Sequence, residues 1–120
     1  MENQVKIYPT AIKNKTYLMF DFPNHLDEKA AGIAIKLWKE EGQKIINQGK
    51  IDLIFNCLQM RSFETEARKK WQSTLKEQKN ELGQIWVVCE NVFILGAAKT
   101  MGLMSGYSIK VTRSLSEINN

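Results

Sequence analysis

The chain has 120 residues, of which 43% are apolar and 25% are charged, and its net charge at pH 7 is +4. That length predicts one domain over residues 1–120, and the composition is typical of a soluble globular protein, which excludes a disordered chain, a collagen and a disulfide scaffold. The basic excess is spread along the sequence, with Arg68-Lys69-Lys70 as a cluster among glutamates, whereas nucleic-acid proteins gather their cations on one face, so we expect no nucleic-acid partner.

The first predicted unit is a β-hairpin. Val5 to Ile12 forms its first arm, Lys13-Asn14-Lys15 its turn, and Thr16 to Phe22 its second arm, whose side chains alternate with the period of two that indicates a strand. Pro9 has no N–H to donate to a neighbouring strand, so the first arm is expected at the edge of the sheet.

A long amphipathic helix is predicted next. Asn24 is its expected N-cap, since Asp27 and Glu28 then fall near the first turn, where carboxylates favour the helix dipole. The pattern extends to about Gln48, and Gly49 provides the left-handed stop. The residues expected on the buried face are spaced by three and four: Leu26, Ala30, Ile33, Ala34, Leu37, Lys44, Ile45 and Gln48.

Two continuous apolar segments predict parallel strands that are buried on both faces. The first is Ile51 to Cys57 and the second is Ile85 to Cys89. Between them, after a loop from Leu58 to Arg61, Ser62 is the expected cap of a second helix. The buried side of that helix is marked by Phe63, Ala67, Trp71, Leu75 and Leu82. We expect the two strands to be neighbours in one sheet.

A third helix is predicted from Val92 to Ser105, with Asn91 as its N-cap and Gly106 as its left-handed stop. Tyr107 to Arg113 alternates again, which indicates a half-exposed strand, and Leu115 to Ile118 indicates a final helical turn. The predicted fold class is therefore α/β. An N-terminal antiparallel hairpin is followed by parallel β-α-β units in one mixed sheet, with right-handed crossovers and with the helices packed on the sheet.

The order of these elements over residues 5–118 resembles the STAS domain family. Two stretches carry the likeness: the strand from Ile51 to Cys57 leading into Ser62-Phe63-Glu64-Thr65-Glu66-Ala67, and Gln84 to Asn91 leading into the Ala- and Met-rich helix from Gly96 to Met104. The second stretch is most similar to a bacterial branch of sporulation anti-sigma-factor-antagonist-like proteins, which is related in shape to CRAL-TRIO lipid-transfer domains. The resemblance implies a STAS-like fold and a binding or regulatory role.

Phosphoregulated members of that family carry Asp-Ser-x-Gly where this chain has Glu64-Thr65-Glu66-Ala67. The resemblance makes Thr65 the aligned hydroxyl and Ser62 a second candidate phosphoacceptor in the loop. The glycine is missing, however, and a phosphate of nearly two negative charges on Thr65 would be repelled by Glu64 and Glu66. We therefore expect neither hydroxyl to be phosphorylated.

The candidate binding site is the edge where the parallel strands end. Strands that each lead into a helix have their carboxyl ends at one edge, and open α/β sheets bind ligands there. The helix N-termini at this edge would also favour an anionic group, with Arg61 as its nearest cation. The residues predicted to bind a ligand or partner are Asn24, His25, Met60, Arg61, Ser62, Glu90, Asn91 and Phe93.

Few side chains could support catalysis or metal binding. His25 is the only histidine and is interpreted as a surface loop residue, with contact to a ligand as the alternative. Ser62, His25 and Asp27 could form a Ser-His-Asp set on paper, but no nucleophile-elbow pattern accompanies Ser62, and no catalytic residue or metal site is predicted. Cys57 and Cys89 are expected to be buried, unreactive thiols at neighbouring strand ends, with a redox couple as the alternative.

The third helix is unusual because Lys99 is the one charged residue between Val92 and Ser105. A surface helix has a polar side, so this pattern indicates a helix buried in its own domain, a subunit interface, or an apolar lid over a lipid-like ligand or a membrane surface. A homodimer and a peripheral membrane contact both stay open. The residues assigned to such an interface or lid are Leu95, Met101, Leu103 and Met104.

The sequence therefore predicts a non-enzymatic STAS-like binding or regulatory domain. It would recognise a partner protein, or a small amphipathic or anionic ligand, at the carboxyl edge of the parallel strands. The alternative is a carrier of lipids or other hydrophobic ligands that associates with membrane surfaces. No cofactor is expected. A polar N-terminus without a signal-peptide segment and two cysteines without CxxC spacing favour a cytoplasmic location.

Overall fold

The chain folds into a mixed sheet that carries its helices on one face. A computed structural model describes residues 4–45 and 50–118, apart from the side chains of residues 43–45. In chain order the elements are β1 (Lys6–Ile12), β2 (Lys15–Asp21), β3 (His25–Leu26), α1 (Glu28–Ile45), β4 (Ile51–Asn56), β5 (Ser62–Phe63), α2 (Thr65–Glu77), β6 (Leu82–Val88), α3 (Val92–Ser105), β7 (Ile109–Thr112) and a 3₁₀ turn (Leu115–Glu117).

The strands of the larger sheet follow one another across it in chain order. Within the described ranges the order is β1-β2-β4-β6-β7, with β1 and β2 antiparallel and each later pair parallel. The predicted mixed sheet, the edge position of the first arm and the parallel pairing of the two apolar segments are thus confirmed. Each parallel strand is added on the same side of the strand before it. Since crossovers between parallel strands are right-handed, α1, α2 and α3 all pack on the same face.

The turn between β1 and β2 is two residues long, where three were predicted. Lys13 and Asn14 have φ values of 51° and 68°, and Ile12 pairs with Lys15. Two successive left-handed residues give a turn whose twist matches that of the flanking strands. Asparagine tolerates this conformation better than most residues, which explains its place in the turn.

The core between the sheet and the helices is dominated by aromatic rings. The ring of Phe20 on β2 has its centroid 5.2 Å from that of Trp38 on α1, 5.0 Å from Phe55 on β4 and 5.8 Å from Trp71 on α2. All of these contacts are edge-to-face, the arrangement that the ring quadrupole favours. Because each of these side chains is at most 5% exposed, the rings fix how α1 and α2 lie on the sheet.

Helix α1 begins later than predicted. Asp27 is its cap, since Asp27 Oδ1 accepts a hydrogen bond of 2.7 Å from the N–H of Ala30. Asn24, the predicted cap, belongs instead to a loop pairing at the edge of the sheet. The helix is described as far as Ile45, and its predicted end at residues 48–49 lies outside the described residues.

The buried side of α1 differs from the prediction. Ala31, Ala34 and Trp38 are at most 1% exposed, whereas Ile33 and Leu37, which were predicted to be buried, are 51% and 37% exposed. Leu26, Ala30 and Ala34 are buried as predicted. The prediction was wrong for Ile33 and Leu37 because the Trp38 ring has the largest apolar area on the helix and its burial determines the rotation of α1. The alanines beside it allow a close approach to the sheet. The side chains at positions 44, 45 and 48, also assigned to that face, lie outside the described residues.

The opposite face of the sheet carries a smaller core. Its members are at most 8% exposed, and Ile118, just after the 3₁₀ turn, is fully buried among them. Lysine side chains lie over two of its rings: Lys15 Nζ is 5.6 Å from the Tyr17 centroid and Lys110 Nζ is 5.3 Å from that of Trp86. The predicted final helical turn is therefore present and covers this face. The core consists of Tyr17, Met19, Ile54, Trp86, Val88 and Ile118.

Candidate functional site

The loops that follow β2 and β4 are joined at the carboxyl edge of the sheet. They pair as the short parallel strands β3 and β5, with His25 opposite Ser62. The Asn24 carbonyl accepts hydrogen bonds from the N–H groups of Arg61 at 2.7 Å and Ser62 at 3.3 Å. The sequence did not predict this small sheet, which brings four residues of the predicted site together.

His25 has a side-chain partner within this small sheet. Its Nδ1 lies 2.6 Å from Ser62 Oγ, and both residues are half-buried. The interpretation of His25 as a surface loop residue is corrected, because the pairing of β3 with β5 places Ser62 beside it. Asp27 uses its Oδ1 to cap α1 and has no hydrogen bond to His25 in the described part of the chain. The His25–Ser62 pair therefore joins two loops without a third member.

Helix α2 begins without a side-chain cap. Ser62, the predicted cap, lies in β5, and Glu64 occupies the cap position without a side-chain hydrogen bond to the first turn. The Glu64 carboxylate instead accepts a hydrogen bond of 2.7 Å from the N–H of Glu28, at the start of α1. Thr65 is exposed at the first position of α2. Glu64 thus stands at the start of α2 and also holds the start of α1 through its side chain.

The start of α3 forms the second part of this edge. Asn91 caps the helix as predicted, since its Oδ1 accepts hydrogen bonds from the N–H groups of Phe93 at 2.9 Å and Ile94 at 3.2 Å. Phe93 is 65% exposed, and its ring stacks on that of Phe63 with centroids 5.8 Å apart. Glu90, just before the cap, is exposed. The edge therefore presents a stacked aromatic pair to solvent.

Met60 belongs to a cavity beneath α2 and α3 and is only 6% exposed. The cavity has a volume of about 50 Å³, and its accessible wall is apolar. Cys57, Trp71 and Met101 also line it, together with the charged residue Arg68. The indole N–H of Trp71 is buried and has no acceptor among the described residues. An apolar cavity of about 150 Å³ holds benzene, so this one has room for only a few heavy atoms.

The two thiols lie at the ends of neighbouring strands. The N–H of Cys57 donates to the carbonyl of Val88 at 2.8 Å, and both Cys57 and Cys89 are buried free cysteines. Burial raises the pKa of both thiols. The predicted burial of both thiols is confirmed, and since the thiolate is the nucleophilic form, the raised pKa disfavours their reaction.

Helix α3 keeps its predicted bounds, with Gly106 in the left-handed conformation at a φ of 84°, and it exposes apolar residues. Val92 is 81% exposed, Leu103 80% and Met104 57%. Residues eleven apart lie on one side of a helix because eleven residues make about three turns. We call this side the α3 face: Val92, Phe93, Leu103 and Met104 at its ends, with the exposed residues Gly96, Lys99 and Thr100 between them.

The residues predicted for an interface or lid divide into two groups. Leu103 and Met104 lie on the α3 face, whereas Leu95 and Met101 are half-buried, and Met101 lines the cavity. Val92, the most exposed of the large apolar residues, was not among the predicted residues. Its spacing of eleven residues from Leu103 is the signal that could have identified it.

Metal ligands are not clustered in the part of the chain that the structure describes. No group of three or more His, Cys, Asp or Glu residues there could hold a metal ion. Arg61, the predicted nearest cation for an anion at the edge, is exposed. None of the described helices is long and apolar enough to cross a membrane.

The fold is SpoIIAA-like. The crystal structure of an uncharacterised protein of the DUF3478 family from Shewanella loihica, which has a SpoIIAA-like fold, matches with a TM-score of 0.77 over 95% of this chain and 90% of that chain. The predicted STAS-like fold is thereby confirmed. The two sequences are 10% identical, so the likeness concerns the fold alone. No family model and no curated protein matches this chain.

Proposed function

We propose that the chain is a non-enzymatic binding domain that recognises a partner protein through the α3 face, next to the carboxyl edge of the parallel strands. The observation that carries this proposal is the exposure of Val92, Phe93, Leu103 and Met104, by 57–81%, on one side of one helix. These side chains form two apolar pairs at the ends of one helix face, and exposed apolar clusters of this kind mark interaction sites.

The free energy of binding that this face could supply is that of a weak, reversible complex. Burying one large apolar side chain contributes about 1.5–3 kcal/mol, so the four together contribute roughly 4–8 kcal/mol once their present partial burial is considered. Association itself costs about 4–15 kcal/mol. A stable complex therefore needs further contacts, which the neighbouring Phe63 ring and the exposed Arg61 and Glu90 offer at the edge.

The candidate nucleophiles support a role without catalysis. Ser62 is half-buried and hydrogen-bonded to His25, and within the described residues no carboxylate is hydrogen-bonded to that histidine. The thiols of Cys57 and Cys89 are buried, and their pKa values are raised by burial. None of these groups combines an open approach with an activating partner.

A small amphipathic ligand is the second candidate, and the apolar cavity lined by Trp71 and the charged residue Arg68 favours it. A short carboxylate could fill the apolar cavity with its chain and leave its charge near Arg68. The volume of about 50 Å³ favours such a ligand over the long acyl chain that a lipid carrier needs. Titration with butyrate should shift the Trp71 indole N–H resonance, with butanol as the uncharged control.

Photo-crosslinking tests the partner-protein proposal. The photoreactive amino acid p-benzoylphenylalanine is placed at Leu103, on the α3 face, and in a matched control at Ile33, an exposed aliphatic residue of α1. After irradiation of host cells, we expect a discrete protein adduct from position 103 and none from position 33. The adduct should disappear when Phe93→Ser is added at the far end of the face.

Three results would count against this proposal. Equal adducts at positions 33 and 103 would mean non-specific capture, and an adduct that survives Phe93→Ser would mean that the face does not act as one surface. A lipid adduct at position 103 would favour the carrier instead. An adduct of twice the chain mass would identify a second copy as the partner.

A further inference from the structure

The middle of the α3 face is open. An ideal Cβ built on Gly96 meets no atom within 4 Å, whereas one built on Gly102 would lie 2.5 Å from Ile109 Cδ1. Gly102 is therefore required by the packing of β7, but no described neighbour requires Gly96, a residue that is less favourable than alanine inside a helix. We call the shape of the α3 face a saddle, because its apolar side chains lie at two ends roughly 16 Å apart and Gly96 between them has no side chain.

The side of α2 beside this saddle is basic. Arg68, Lys69 and Lys76 line an open cleft of about 320 Å³ together with Met104 of the α3 face. The Nε2 of Gln72 lies 4.0 Å from the Sδ of Met104, which ties this part of α2 to the end of the saddle. The cations therefore adjoin the Met104 end of the saddle.

The charges on the other side of α2 are balanced. Glu77 pairs with Lys39 at 3.3 Å, and Lys70 pairs with Glu28 at 3.7 Å, both between α1 and α2. Lys70 and Glu77, which both belong to the charged segment around residue 70, thus form ion pairs with residues of α1. The cations that remain on the α3 side are not neutralised by those glutamates.

The cations of the cleft have few acidic partners in the described ranges. Lys69 pairs with Glu66 at 3.6 Å on the exposed surface, and Lys76 forms no ion pair there. Lys99 lies within the saddle itself, and Lys79 reaches the glycine that ends α3, where a Cβ would lie 2.6 Å from its Nζ. The rim of the saddle therefore favours a partner with negative charge.

A second copy of the chain fits this surface poorly. A two-fold axis through the centre of the α3 face would bring Lys99 close to its own copy, and like charges across an interface are unfavourable. This like charge at the centre of the face points to a different, acidic molecule.

We propose that the partner segment recognised by the α3 face is an amphipathic helix with acidic residues along the flank that lies over α2. The proposal rests on the proposed function and names the chemistry of its partner. The apolar side of that helix would lie in the saddle over Gly96, and its carboxylates would face Arg68, Lys69 and Lys76. A helix fits better than a strand, because α3 offers side chains and no free backbone groups for an extended segment to pair with.

Two labelled peptides of about 18 residues, long enough to form a helix on docking, test this inference. Both peptides carry leucines at helical spacing. The positions on the side that would lie over α2 are glutamate in one peptide and lysine in the other. Fluorescence anisotropy with the full chain at about 50 mM salt should show the acidic peptide bound at least tenfold more tightly. Raising the salt to about 0.5 M should reduce that preference, since salt screens exposed charges.

Variants test separately the cations of α2 and the apolar side chains of α3. The double variant Arg68→Glu/Lys76→Glu should reverse the preference between the peptides, while the matched reversals Lys29→Glu/Lys36→Glu on exposed positions of α1 should leave it unchanged. Leu103→Ser should weaken both peptides, and its control Leu37→Ser, at an exposed leucine of α1, should weaken neither.

The outcomes separate this inference from the proposed function. If both peptides bind equally and both are lost in Leu103→Ser, the face binds proteins but the acidic flank is wrong. If neither binds while the crosslink at position 103 persists, the partner is not an acidic amphipathic helix. If the chain sediments with phosphatidylglycerol vesicles and ignores the acidic peptide, the surface binds membranes and the inference is overturned.

Discussion

At the scale of single residues, the Cys57 thiol is enclosed where β4 ends against the cavity, and burial raises its pKa. The folded chain therefore holds the thiol proton more tightly than the unfolded chain, in which the pKa is about 8.5. The contribution of this thiol to stability is complete below that pH and is lost as the pH rises above it. We expect the free energy of unfolding in urea to fall between about pH 8 and pH 10, and to fall less in Cys57→Ala.

Two tyrosines serve as an internal reference for that measurement. The hydrogen bond to Asp21 raises the pKa of Tyr8 to about 12, and burial raises that of Tyr107 to about 12. Both keep their protons in the folded chain throughout this range and begin to lose them in the unfolded chain near pH 10, so any effect that they add at the upper end is the same in either protein. Parallel stability curves for wild type and Cys57→Ala would show that the thiol contributes nothing to the pH dependence.

The hydroxyls at the edge give a second prediction at this scale. Ser62 Oγ lies 2.6 Å from His25 Nδ1, and Thr65 stands between Glu64 and Glu66. A phosphate on Thr65 would face like charges, and one on Ser62 would displace the bond to His25. We expect the intact mass of protein from its native host to show no phosphate. A stoichiometric gain of one phosphate mapped to either residue would reverse this expectation.

How far the sequence predicts a contact depends on the separation of its partners. The cap made by Asn91 joins groups two and three residues apart, so residue type and position were enough to predict it. The bond between His25 and Ser62 spans 37 residues and exists only because two loops pair as strands. Nothing in the local sequence indicates that pairing, and the predicted edge residues were identified only as a group.

At the scale of elements, the rotation of α1 gives a prediction that contrasts two of its residues. Trp38 is 1% exposed and packs against Phe20, whereas Ile33 is 51% exposed. Trp38→Ala should lower the free energy of unfolding by about 3–5 kcal/mol, and Ile33→Ala should change it by less than about 0.5 kcal/mol. Urea unfolding of both variants checks the assignment, and similar losses in the two would mean that the original helical pattern was correct.

The bounds of the helices were predicted better than the side that each helix buries. The bounds of α3 follow from its cap and its left-handed glycine, which are local signals. Periodicity predicted one buried side for α1, but the rotation of the helix is determined by rings on β2 and α2 that Trp38 meets only in the folded chain. The same reason explains why the cations of α2 could not be divided between its two sides from sequence.

At the scale of the whole molecule, the second core makes residues after β7 structural. Ile118 is fully buried against the face of the sheet that carries Tyr17 and Trp86. Ile118→Ala should lower the free energy of unfolding by about 2–5 kcal/mol, whereas Ser116→Ala, at an exposed position of the same turn, should be nearly neutral. Urea unfolding measures both, and a neutral Ile118→Ala would mean that the turn does not hold this face closed.

The overall architecture was accessible from sequence because it follows from element order. Continuous apolar segments indicated central parallel strands, and Pro9 indicated the edge. The small sheet of β3 and β5 was not accessible, since each strand is two residues long and carries no periodicity. The surface chemistry of the saddle was also missed, because it depends on which side of each helix faces solvent.

The agreement between strand order and chain order has a consequence for how the protein is made. A ribosome delivers the chain from its amino end, so the strands emerge in the sequence in which they take their places across the sheet. Each new β-α unit can dock on the free edge left by the one before it, without threading past finished structure. Folding can therefore keep pace with synthesis, and at every intermediate length one unpaired strand edge is exposed where chaperones, or another nascent chain, can bind.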